Sequence, residues 1–96
     1  MIYSLVNTVS LAISNSSAST SELVVPSGLI RVGSSTNAYI TITSSAGTAT
    51  NSGFFIGAGQ EVLFQVDNGS FVNAIRDSAD GRMSISCVIV GNPVGE

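Results

Sequence analysis

The sequence predicts an all-β protein, a single-domain antiparallel β-sandwich or small jelly-roll-like barrel of about eight short strands. Three observations predict it. Apolar and polar residues alternate with period two in run after run, as on half-buried strands. No helical stripe at i, i+3, i+4 and i+7 is sustained anywhere. Turn residues punctuate the runs at short intervals: Pro26-Ser27-Gly28, Gly57-Ala58-Gly59, Asp67-Asn68-Gly69 and Ala79-Asp80-Gly81.

Taken in order, the first run is TVSLAIS, where Val9, Leu11 and Ile13 oppose Thr8, Ser10, Ala12 and Ser14. Residues 1–7 precede it as a contact arm or edge strand. ELVV (22–25) and GLIRV (28–32) are shorter candidates. In NAYITIT, Ala38, Ile40 and Ile42 form the inward set, and Tyr39, Thr41 and Thr43 the outward one. The ten residues SSAGTATNSG (44–53) follow, with no charge, no aromatic ring and no branched aliphatic. They read as a connection crossing between two sheets. GFFI (53–56) and EVLFQV come next, the latter with Val62, Phe64 and Val66 inward. A core Phe64 would lose ~3–5 kcal/mol on truncation to Ala. FVNAIR (71–76) and MSISCVIV close the series, with Met83, Ile85, Cys87 and Ile89 inward. The DNG and ADG turns predict that 60–66, 71–76 and 83–90 form an antiparallel meander. Residues 91–96, GNPVGE, should leave the last strand as a tail.

Composition narrows the function classes. With two Tyr, four Phe and no Trp, aliphatics and Ala must supply most of the buried area, with most of the Phe beside them in the core. Nucleic-acid binding needs clustered cations, whereas Arg31, Arg76 and Arg82 are scattered among six acids and no Lys is present. The opening residues lack the basic start of a secretion signal, and no apolar run is long enough to span a membrane as a helix. Charge is sparse along the predicted strands, although β proteins commonly guard their sheet edges with it. A quarter of the residues are Ser or Thr, concentrated opposite the core. Such a face is either solvated or covered by a neighbouring subunit, and it loses little side-chain entropy when covered. The segments ISNSSAST and ITSSAGTAT echo each other, each following an alternating strand.

No motif carries catalysis. Without His or Lys, no Ser–His, Cys–His or Ser–Lys pair is available. The single Cys87 has no companion ligand for zinc and reads as a small buried hydrophobe. Asp77 and Asp80 lack the ligand spacing of a calcium loop, and turn formation explains them. GAG at 57–59 lacks the third Gly, Lys and helix of a phosphate loop. The expectation is therefore no enzyme, no cofactor, no metal and no small-molecule substrate.

Residues 37–86, NAYITIT…GTATNSGFFIGAGQEVLFQVDNGSFVNAIRDSADGRMSIS, resemble small β-rich virion proteins of tailed bacteriophages, capsid decoration or cement proteins among them. The resemblance implies a structural protein at the capsid surface, made in the host cytoplasm. Its partners would be the major capsid protein or other virion subunits, and it would work as a homo-oligomer without nucleic acid or membrane. The contact residues expected are Ile2, Tyr3 and Leu5 on the first segment, Ser45, Thr48, Thr50 and Asn51 on the small-residue segment, and Tyr39. The alternative is an adhesin or host-recognition sandwich that binds a glycan or surface protein.

Overall fold

A computed structural model describes the backbone of residues 2–25 and 28–91, with side chains for 8–25 and 28–88. Eight strands run in the order β1 (Ile2–Ile13), β2 (Ala18–Ser19), β3 (Leu29–Ser34), β4 (Ala38–Thr43), β5 (Phe54–Ile56), β6 (Glu61–Gln65), β7 (Phe71–Arg76) and β8 (Gly81–Gly91). They form two four-stranded sheets, β1-β8-β3-β6 and β2-β7-β4-β5, and every pairing is antiparallel. The pairs β1–β8, β2–β7, β3–β6 and β4–β5 are nested, so the chain is one long hairpin folded over on itself. Rolling that hairpin adds the contacts β3–β8 and β4–β7. This is the jelly-roll arrangement of the all-β class expected from the sequence.

The alternation holds in the strands that make the core. Ile13, Ile30, Val32, Ile40, Ile56, Val72, Met83 and Ile85 are all at most 1% exposed. Cys87 lies among them, a free and buried thiol. Ser86 and Val88, from the opposite face of β8, are buried as well. The side chain of Ile89 lies outside the described residues.

Four expectations are corrected. The meander does not form: β6 pairs with β3, β7 lies in the other sheet, and β8 sits between β1 and β3. The DNG and ADG turns do reverse the chain, but they carry it from one sheet to the other. Local turn chemistry fixes the reversal and not the sheet that receives the strand. Secondly, residues 22–25 are not a strand, although Leu23 and Val25 are buried. Their backbone is met by the 67–70 turn, through Leu23 N–H to Ser70 O (2.9 Å) and Gly69 N–H to Leu23 O (2.8 Å). The Asn68 side chain accepts from Val25 N–H at 2.7 Å.

Thirdly, SSAGTATNSG joins β4 to β5 within one sheet, as the tip of the rolled hairpin. It does not cross between sheets. Finally, the Phe rings stay at the margin. Phe54 and Phe55 are 52% and 46% exposed, and Phe64 and Phe71 are half-buried. The buried cluster consists of Ile, Val, Leu and Ala with Met83 and Cys87, and it holds no ring among the described residues. Phe64 packs on the core from its rim, and Phe64→Ala should cost about 1–2 kcal/mol in chemical denaturation, below the range for a fully buried ring. Residues 92–96 of the expected tail lie outside the described residues, while Gly91 still belongs to β8.

Candidate functional site

Two surfaces emerge from the residues upward. The first is the outer face of the β2-β7-β4-β5 sheet. Val72 and Ala74 of β7 point to the core, which turns Asn73 outward between Ser19 of β2 and Thr41 of β4. Asn73 is nonetheless 0% exposed, because the 44–53 segment folds back over it. Its Oδ1 accepts from Ser19 Oγ (2.6 Å) and from Gly47 N–H (3.0 Å). Its Nδ2 donates to Thr43 Oγ1 (2.9 Å) and Thr41 Oγ1 (3.2 Å). An amide N–H can meet only the oxygen of this side chain, so the Gly47 contact fixes the orientation of the carboxamide.

The two segments that echo each other in sequence also meet here. Ala49 N–H donates to Ser17 Oγ (2.8 Å), and Ser19 Oγ also lies 3.0 Å from Gly47 O. Part of the hydroxyl-rich face is thus covered by the chain itself. Small residues make that possible. A Cβ on Gly53 would stand 2.6 Å from the Ile40 carbonyl oxygen. Ser45, Thr48, Thr50 and Asn51 remain exposed on the far side of the segment.

The second surface is the sandwich margin where the edge strands β5 and β6 lie together. Phe54 of β5 meets Phe64 of β6 edge-on, with ring centroids 5.3 Å apart. Phe55, on the outer face, packs against Tyr39 at 5.4 Å. Leu63 projects from the other sheet's outer face and is 56% exposed. Together these side chains wrap an apolar rim around one edge of the molecule. Sequence reasoning placed Tyr39 at an interface and missed Phe54, Phe55 and Leu63. The signal available was the doublet FF, since alternation can send only one of two adjacent rings inward.

Charges flank this rim in pairs. Arg31 bridges to Glu61 across β3 and β6, and Arg76 to Asp80 at 2.7 Å. The Tyr39 hydroxyl donates to Asp77 Oδ1 at 3.2 Å. Partial desolvation, and then the neighbouring Asp77 carboxylate, raise the Tyr39 phenol above its ordinary value of 10.0. Because the neutral phenol is favoured in the fold, this contribution is complete below the unfolded-state value and fades as pH climbs through the folded one. In an absorbance titration of phenolate, Asp77→Asn should move one of the two tyrosines to lower pH.

Elsewhere, an apolar groove of about 410 Å³ opens between the sheets beside Val9, Leu23, Val25, Ile30, Ile85 and Cys87. Among the described residues no three His, Cys, Asp or Glu side chains gather as a metal site would require. Ile2, Tyr3 and Leu5 fall on β1, opposite Gly91, Val90 and Val88. They belong to the β1-β8-β3-β6 sheet, whereas Tyr39 and the 44–53 segment belong to the other one. The architecture defines an all-β sandwich with an apolar rim. No family model, curated protein or solved structure matches the chain.

Proposed function

We propose that the protein is a structural subunit of a bacteriophage virion, a capsid decoration or cement protein that binds the assembled shell. The observation that carries this reading is the apolar rim of exposed Phe54, Phe55 and Leu63, with half-buried Tyr39 packed against Phe55, on a chain with few charges. Aromatic rings on a rigid edge give large contact area at little entropic cost, and they dominate the energetics of protein interfaces. The hydroxyl groups of Ser45, Thr48 and Thr50 and the carboxamide of Asn51 lie on the loop that covers the same sheet, and they supply adaptable hydrogen bonds beside the rings. Many copies on a repeating lattice would bind with avidity although each contact is small. The nested-hairpin architecture is compatible with this role, since the fold class includes viral capsid domains.

The test is co-sedimentation with expanded phage capsids. Wild type should pellet with the shells, and Phe55→Ser with Leu63→Ser should remain in the supernatant while keeping its β-sheet circular dichroism. Wild type that stays in the supernatant would remove the decoration reading. A second reading, an adhesin, draws on the Tyr39–Phe55 ring pair beside Asp77, because rings next to a carboxylate suit a sugar. Binding to host cells and not to capsids, abolished by Asp77→Asn, would favour it.

A further inference from the structure

We infer that β1 pairs with β1 of a second copy, antiparallel about a two-fold axis through Ser4, to make a continuous β8-β1-β1-β8 sheet between two sandwiches. The four edges of the two sheets are unequal. β2 has two residues, β5 has three, and β6 has five and carries Glu61 in an ion pair. β1 has twelve, IYSLVNTVSLAI, with no charge and no Pro. Among the described residues it is hydrogen-bonded to a strand on one side only. A long uncharged edge of this kind is a template for another strand unless something covers it.

The register narrows the position. β3 pairs with β8 over Met83–Cys87, whereas β1 stays paired with β8 out to Ile2↔Gly91. Past the buried Val88, the pairing among the described residues is two-stranded, Ile2-Tyr3-Ser4 against Gly91-Val90-Ile89. Two strands alone are marginal in water, and this pair is almost wholly apolar in composition. A register shift between Val6 and Val9 separates 2–6 from the rest of β1, so the arm has its own uninterrupted ladder.

Self-pairing fits the arm better than a foreign strand does. An uncharged strand meets its own copy without like-charge repulsion, and a two-fold contact closes on itself. Residues directly opposite in a ladder point to one face, so the axis must pass through a residue and not between two. The middle of 2–6 is Ser4, which places Tyr3 opposite Leu5 of the second copy. No acid lies within β1 or β8, so the paired strands themselves bring no carboxylates together. The inference needs only β1 and does not depend on the virion reading.

The experiment combines sedimentation velocity with cysteine cross-linking in a Cys87→Ala background. Wild type should sediment as a dimer, and Ser4→Lys should raise the dissociation constant at least about tenfold by opposing two like charges. Under oxidation Ser4→Cys should link to itself. Tyr3→Cys should link to Leu5→Cys in a mixture and not to itself. These cross-links keep the test informative if Ser4→Lys loosens the ribbon. A monomer at the highest soluble concentration overturns the inference. So does a dimer indifferent to Ser4→Lys, or a Tyr3→Cys variant that links to itself as readily as to Leu5→Cys.

Discussion

Asn73→Ala should lower stability by about 3 kcal/mol in urea or guanidinium unfolding, a loss unusual for a residue on the outer face of a sheet. The reason is the number of groups that one carboxamide satisfies. Ser19, Thr41, Thr43 and the Gly47 N–H all bond to it, from two neighbouring strands and the hairpin tip. The hydroxyls can turn toward other partners, but the Gly47 N–H is fixed by the backbone. Leaving it unmet costs roughly 1–3 kcal/mol by itself. The loss should be visible locally as well: limited proteolysis within 44–53 should accelerate more than the global change accounts for. Equal cleavage rates in wild type and variant, at equal fraction folded, would show that the segment is held by other contacts.

Ile40→Ala should cost about 3–4 kcal/mol, the range for a fully buried aliphatic whose cavity cannot collapse. Ile40 is 1% exposed on a central strand, with Ala74 opposite on β7 and Phe54 on β5. Both flanking strands are hydrogen-bonded in place, which limits how far the wall can move inward. For a domain of this size the melting temperature should fall by roughly 12–25 °C. A loss under about 1 kcal/mol would mean that the strand register is shifted by one residue. Ile42, half-buried at the end of the same face, should cost less on the same truncation.

The strands themselves were legible because alternation and turn chemistry are local. β4, β6 and β7 fall within a residue or so of NAYITIT, EVLFQV and FVNAIR. The pairing was not legible. In a nested hairpin each strand's partner is remote in sequence, except at the tip, and nothing in 81–91 announces residues 2–13 as its neighbour. The Phe positions misled for a related reason. Hydrophobicity says that a ring prefers burial, but Phe54, Phe55 and Phe64 occupy edge strands, and Phe71 stands at the first position of β7. Asn73 had one faint signal, an amide in the middle of a strand, where such residues are depleted. Its partners could not be named without the fold.

The nested order also governs how the chain can come together in time. Closing β4 on β5 encloses only the ten-residue tip, a small entropic cost. With that pair in place, β3 and β6 are already near each other, then β2 and β7, and finally β1 and β8. Each step extends a loop whose ends are held, so the pairings remote in sequence assemble like a zipper closing from its middle. The β1–β8 pair encloses all the others and so closes the largest loop of the four. During synthesis β1, an uncharged strand, therefore cannot meet its partner until residues 81–91 have been made.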